Sequence, residues 1–211
     1  DLGLATLDEM PRDTGAGHPR PQRTTNRVAA LFLDVPADAA RAALTGLRFS
    51  KHDTNWVTAV TERWAQLGPE LSAALLQGRP SDVQVRRWLA RLGRTHAGAV
   101  LRLALARWRA LRASGAEAPS DAAVRSLHRQ MRRSLFSDPI DLADLAIGGD
   151  DLRRAGIPAG PIYAKILHAL LERVLEDPAC NTPDALLAEV PRLAAASSGN
   201  TGSAALPSTE H

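Results

Sequence analysis

Apolar residues return every three or four positions along most of the chain, which is the period of one face of an α-helix. Two such stripes are formed by Trp56, Val57, Val60 and Trp64, and by Val85, Trp88, Leu89 and Leu92. Leu and Ala dominate the composition, aromatic residues make up only 4%, and runs of β-branched residues are few. These features predict an all-α protein, a multi-helix array of roughly eight to ten helices.

Residues with strong local preferences indicate where the helices begin and end. Ser50, Ser81 and Ser120 each precede an apolar stripe and are predicted N-caps, whereas Gly93 is predicted to break a helix. Residues 65–82 are predicted to hold only a short helix between two loops. The following long helix is predicted to start at Ala97.

Turn and cap residues are densest near the C-terminus, in GGDDLRRAGIPAGPIYAKILHALLERVLEDPACNTPDALL. Asp150 or Asp151 can cap a short helix that ends at Gly156, and a longer helix opens at Gly160-Pro161. The segment resembles the C-terminal segment of bacterial CCA-adding tRNA nucleotidyltransferases and of their poly(A) polymerase relatives. The positions that match the pattern of that family are Gly149, Asp151, Leu152, Gly156, Ile157, Gly160, Pro161, Asn181 and Thr182.

An earlier stretch, RVAALFLD followed by ALTGLRFSKHDTNWVTAVTERW, resembles a more N-terminal part of the same family. In many relatives a His-Asp pair at this place belongs to a metal-dependent phosphohydrolase module. Here the pair is Leu33-Asp34, and a hydrolytic metal site needs imidazoles and carboxylates that converge on one ion. Asp34 is therefore interpreted as the remnant of an HD-like motif, with a helix-end or N-cap role, and neither a metal nor hydrolase activity is expected.

The two resemblances together imply a division of the chain into four parts. Residues 1–26 are expected to be a linker or the end of a preceding domain, and 27–133 a degenerate HD-like helical domain. Residues 134–193 are expected to be a C-terminal RNA-binding helical tail. Residues 194–211 have a low-complexity composition of Ala, Ser, Gly and Thr and are predicted to be disordered.

Positive charge is concentrated in the middle of the chain. The net charge is only +3, but residues 86–133 hold 12 arginines against two acidic residues. Such a segment can bind RNA phosphates. The RNA-binding candidates are Arg102, Arg109, Arg125, Arg129, Arg132 and Arg133. The alternative is a solvated face in a chain that uses arginine in place of lysine. Gly160, at a helix N-terminus, could offer backbone N–H groups to a phosphate, or it could simply form a tight turn.

Compared with the family that it resembles, this sequence lacks the motifs of nucleotidyl transfer. Nucleotidyl transfer in that family uses a Gly-Ser motif followed by an Asp-x-Asp pair that binds two Mg²⁺ ions, and a template that selects CTP and ATP. None of these motifs is present. The resemblance thus implies a body and tail that bind the acceptor and TΨC arms of tRNA, inactive alone, with Mg²⁺ and CTP or ATP bound at a catalytic head elsewhere. A poly(A) polymerase and a non-enzymatic helical interaction module are the alternatives.

The remaining signals are weak. Cys180 is the single cysteine, which excludes a disulfide framework within the chain and fits a reducing cytoplasm. No apolar run approaches the ~20 residues of a membrane span, so no membrane partner is expected. The histidines show no metal-ligand spacing, and the four tryptophans are expected in the core. The oligomeric state is left open.

Overall fold

A computed structural model describes residues 2–10 and 21–198 of the chain. Within these ranges the protein is helical and contains no strand, which confirms the all-α prediction. The ten α-helices are α1 (Leu2–Glu9), α2 (Pro21–Leu31), α3 (Ala37–Gly46), α4 (Lys51–Gln77), α5 (Asp82–Leu92), α6 (Arg94–Ala113), α7 (Asp121–Ser137), α8 (Gly149–Arg154), α9 (Ile162–Glu176) and α10 (Pro183–Ser198). Short 3₁₀ turns cover Leu142–Asp144 and Pro178–Cys180. None of these helices combines the length and apolar character that a membrane crossing requires.

The chain divides between Leu135 and Phe136 into two compact units. The sequence-based border lies at 133/134, and the functional division attached to it stays a prediction. In the first unit α6 packs against α1, α2, α4 and α5. Since α1 packs on α6, residues 2–9 belong to this unit and do not form a separate linker. The linker predicted up to residue 26 is also too long, because α2 begins at Pro21, while residues 11–20 lie outside the described ranges.

The longest helix, α4, corrects the prediction of a short helix within 65–82. It runs without interruption from Lys51 to Gln77 although Pro69 lies inside it. Pro69 has no N–H and removes the hydrogen bond to the carbonyl of Ala65, which normally weakens a helix. Burial of Leu67, Leu71 and Leu75 on one face keeps the helix continuous, so packing overrides the local preference.

Three buried indoles join α4 and α5 to their neighbours. The Nε1–H of Trp108 donates to Ser72 Oγ at 2.8 Å, and that of Trp88 donates to Glu70 Oε1 at 2.7 Å. A third, buried bond runs from Trp56 Nε1 to Asn26 Oδ1 at 2.9 Å. The prediction of core tryptophans is confirmed for these three, and each ring has a partner for its polar atom, whereas Trp64 is only partly buried.

The predicted N-caps of the first unit are confirmed. The backbone N–H groups of Asp53, Gln84 and Ala123 donate to the side chains of Ser50, Ser81 and Ser120, respectively. Gly93 has φ of 72° between α5 and α6, a conformation that few other residues adopt. The start predicted for α6 at Ala97 is three residues late, because the helix begins at Arg94, directly after this glycine.

The second unit has its own core, formed by Ile147, Leu152, Ile166, Leu170, Val174, Leu186 and Val190. Asn181 has a structural role here, since its side chain donates to the Asp144 carbonyl and accepts from the Ala146 N–H, both at 2.9 Å. The N-cap of α8 is Gly148 and neither predicted aspartate; Asp151 instead accepts from the Gly148 N–H at 2.8 Å.

The last helix also extends further than predicted. Helix α10 continues to Ser198, so the prediction of disorder is wrong for 194–198. The high helix propensity of the alanines there explains the difference. Residues 199–211 lie outside the described ranges.

The ring of His96 makes stability depend on pH. It stacks on Trp56 with ring centroids 4.9 Å apart, and burial, helped by the charge of Arg63, lowers its pKa. An unfolded histidine titrates near pH 6.5. As pH falls below about 6.5 the unfolded state therefore binds the proton first, and the contribution of His96 to stability is lost as pH drops towards its folded pKa.

We expect His96→Phe, which keeps a stacked ring without a titrating group, to reduce the fall in Tm between pH 7 and pH 5. The exposed His52 offers a control, because His52→Gln should leave that fall unchanged. Thermal unfolding by circular dichroism at the two pH values measures both. An equal fall in wild type and His96→Phe would contradict the assignment.

Candidate nucleic-acid interface

The central arginines do not form one uninterrupted positive field. Acidic residues that lie far away in sequence come close to them in the folded first unit. Ion pairs of this kind join Arg91 to Glu70 (2.7 Å), Arg107 to Asp34 (2.7 Å) and Arg133 to Asp82 (2.9 Å). The imbalance of charge that residues 86–133 show in sequence is therefore partly compensated by the acids of residues 1–85.

Helices α6 and α7 form an antiparallel pair, and arginine side chains join the two helices at both ends, in what we call the arginine clamps. At one end Arg109 donates to Asp121 from Nε (3.0 Å) and Nη2 (2.7 Å), and Arg112 donates to the other carboxylate oxygen. The hydrogen bond from Arg109, with smaller contributions from its charge and from Arg112, lowers the pKa of Asp121. At the other end Arg94 donates to the Leu135 carbonyl. Two of the RNA-binding candidates, Arg109 and Arg133, thus already hold carboxylates.

A row of exposed arginines, which we call the α7 row, is formed by Arg125, Arg129 and Arg132. The structure gives none of them a carboxylate partner within the ranges it describes. Their i, i+4, i+7 spacing places them on one face along about 10 Å of helix. The opposite face of α7 is buried through Val124, Leu127 and Met131, as predicted. The helix therefore holds the row outward in a fixed geometry.

A groove between α6 and α7 lies next to this row. It consists of two cavities of about 210 and 70 Å³ that share Gly98, Leu101 and His128. Arg102 and Arg125 line the larger cavity, and Arg132 lines the smaller one. His128 shows no metal-ligand spacing in the sequence, and the structure places it where the two cavities meet. It lies three residues after Arg125 and four before Arg132, so it faces the same side of α7 as these arginines.

Gly160 lies in the second unit, at the start of α9. It is exposed, has φ of 155°, and its carbonyl accepts from the Tyr163 N–H at 3.0 Å. These features describe a tight turn that only glycine adopts easily. A phosphate-binding role for Gly160 stays a prediction.

Leu33 and Asp34, which the sequence analysis interprets as the remnant of an HD-like motif, take part in core packing and in an ion pair. Leu33 is buried in the core. Both carboxylate oxygens of Asp34 accept from Arg107 Nη2 at 2.7 Å. Asp34 lies in the turn directly after α2, which agrees with the predicted helix-end role, whereas the N-cap alternative is wrong because the N-cap of α3 is Pro36. No three His, Cys, Asp or Glu side chains of the described residues are grouped so that they could hold a metal ion.

These observations define an all-α protein with a basic helical face. The family model described as tRNA nucleotidyltransferase domain 2 matches residues 21–190. The chain therefore belongs to the tRNA nucleotidyltransferase family, which confirms the resemblance. No curated protein and no solved structure matches it significantly.

The ion pair of Asp34 with Arg107 leads to a stability prediction. Arg107 is buried, its Nη1 has no hydrogen-bond partner, and the Asp34 side chain is 60% exposed. Removing the partner of a buried charge costs several kcal/mol, and less when that partner is exposed. We expect Asp34→Ala to lower the free energy of unfolding by about 2 kcal/mol in urea denaturation.

Adding Arg107→Met should recover part of this loss, because no buried charge then lacks its partner. The exposed Glu62 gives the matched control, since Glu62→Ala removes an acid that no described group binds. If Asp34→Ala changes stability no more than Glu62→Ala does, the ion pair does not support the fold.

Proposed function

We propose that this chain is the RNA-binding body and tail of a tRNA nucleotidyltransferase. In this role it holds the acceptor and TΨC arms of a tRNA, so that the 3′ end lies where CTP- and ATP-derived nucleotides are added. The observation that supports it best is the α7 row. Arg125, Arg129 and Arg132 offer three guanidinium groups to solvent, while several other arginines of the first unit are held by carboxylates.

The α7 row suits contacts to RNA phosphates better than contacts to RNA bases. A guanidinium donates in a planar fork that matches two phosphate oxygens, and each neutralised phosphate releases counterions. Contacts to the RNA backbone fix position and carry little sequence information. Folded RNA is recognised mainly by shape and by its backbone. A row of exposed arginines on a helix whose opposite face is buried therefore fits a protein that must hold many different tRNAs.

We place the transfer chemistry outside these 211 residues, at a catalytic head that binds Mg²⁺ and CTP or ATP. The 211 residues contain no Asp-x-Asp pair that could hold Mg²⁺ as in that family, and the described ones form no group of three possible metal ligands. The lone, partly buried thiol of Cys180 has a raised pKa through burial and the charge of Asp177, which suits an unreactive cysteine. We expect the protein to act in the cytoplasm.

The test is binding of the chain to tRNA that lacks its CCA end. Replacing Arg125, Arg129 and Arg132 by Gln keeps helix propensity and removes three positive charges. We expect affinity at low salt to drop at least tenfold. The slope of log affinity against log salt should fall by about two to three, because each phosphate contact contributes about 0.7–0.9. Fluorescence anisotropy over a salt series measures both quantities.

A control variant with the same loss of charge replaces Arg48, Lys51 and Arg79 by Gln. All three are exposed and lie in the first unit outside α6 and α7. This variant should bind within about twofold of wild type if the row itself makes the contacts. Equal losses in both variants would show non-specific attraction, and would favour an interaction module whose basic face binds an acidic protein.

The proposed function also predicts the result of an activity assay. With Mg²⁺, labelled CTP or ATP and tRNA lacking CCA, the isolated chain should incorporate no label, because the motifs for transfer are absent from it. A full-length family enzyme in the same assay is the positive control. Incorporation that survives repurification of the chain would contradict the placement of the head elsewhere.

A further inference from the structure

The groove between α6 and α7 is an apolar concavity that packing leaves open. Its floor is formed by Leu101, Val124 and Met131, whose side chains are almost fully buried. The clamps at the two ends of the helix pair hold α6 and α7 in place on either side of it. Because the walls belong to two fixed helices, the groove is a preformed feature of the first unit.

Gly98 keeps the groove accessible. It lies in the interior of α6, where a glycine weakens a helix relative to alanine. Neither packing nor backbone conformation requires it there. A Cβ at this position would meet only the guanidinium of Arg102, at 3.7 and 3.9 Å, and Gly98 has no positive φ. What the missing side chain provides is open space in the wall that both cavities share.

The charges around the groove all have one sign. Arg102 lies on the α6 side, and Arg125 and Arg132 lie on the α7 side. No residue that lines either cavity is acidic. A ligand that complements this surface has a flat apolar part for the floor and negative charges beside it. Exposed His128, at the junction of the two cavities, adds a planar ring.

We propose that this groove binds the base of an unpaired RNA nucleotide. The inference rests on the proposed function and deepens it. The base lies between the apolar floor and the imidazole of His128 or the guanidinium plane of Arg125, both of which are surfaces on which unpaired bases stack. The neighbouring phosphates contact Arg102 and Arg132. The α7 row then holds the backbone on both sides of that nucleotide.

The size of the groove favours a nucleotide over a peptide helix. Each cavity is smaller than the roughly 300 Å³ at which typical ligand pockets begin, so a single ring fits better than a row of side chains. A docked helix also needs apolar anchors over two turns. Cations interrupt the apolar surface on both sides, and the family acts on RNA.

The test compares two RNAs of equal charge. One is a single-stranded, labelled oligoribonucleotide of eight residues, and the other is the same ribose-phosphate chain without bases. Each base that stacks on a protein side chain raises the affinity by about fivefold to about a hundredfold. We expect the wild-type chain to bind the RNA with bases at least tenfold more tightly than the abasic chain.

Gly98→Leu fills the groove without changing charge, and Gly98→Ala adds only the tolerated Cβ. Both residues favour helix, so both variants should fold with Tm no lower than wild type. In Gly98→Leu the preference for bases should fall below threefold while abasic binding stays within twofold. Gly98→Ala should keep most of the preference, and His128→Ala should lose a large part of it.

The outcomes separate the two proposals. If the wild type binds tRNA with the expected salt dependence but binds both oligonucleotides equally, the groove proposal fails and the proposed function stands. The groove proposal also fails, and the proposed function stands, if Gly98→Leu keeps the full preference for the RNA with bases over the abasic chain. If the wild type binds neither tRNA nor oligonucleotide at low salt, the proposed function fails. Competition by an acidic helical peptide alone would reassign the groove to a protein partner.

Discussion

The two arginine clamps between α6 and α7 are the constraint on which the basic surface depends. Asp121 holds Arg109 and Arg112 where α6 ends and α7 begins, and Arg94 holds the last turn of α7 from the first turn of α6. Charge-assisted bonds of this kind fix orientation because the guanidinium is planar. The arginines that form these clamps are unavailable to a ligand. The clamps also set how α7 lies beside α6, and therefore which way the α7 row faces solvent.

Local features of the fold could be predicted from sequence, whereas charge pairing could not. Caps such as Ser50, Ser81 and Ser120 act within three residues, so the sequence itself contains both partners. The partners of Arg107 and Arg133 are 73 and 51 residues away. A charge count over one window cannot detect such neighbours. Such a count therefore overestimates how many arginines lack an acidic partner.

The continuity of α4 and the α6–α7 groove escaped prediction for a related reason. Periodicity tells which residues of a helix face inward, but it does not tell which exposed residues border a second helix. His128 and Gly98 each looked unremarkable alone. They come close only because α6 and α7 pack antiparallel in the tertiary structure. Likewise, the short helix predicted within 65–82 is part of the continuous α4, because the burial of Leu67, Leu71 and Leu75 outweighs the local effect of Pro69.

Leu33 and Asp34 both serve the fold. Leu33 contributes a buried side chain to the core, and the adjacent carboxylate of Asp34 neutralises the buried guanidinium of Arg107. A carboxylate whose two oxygens both accept from one guanidinium is a poor candidate to bind a cation as well, because the nearby positive charge opposes it. These two residues therefore stabilise the first unit. Its exposed chemistry lies elsewhere, on α7, where cations rather than carboxylates reach solvent. That distribution of charge suits a surface that binds a polyanion.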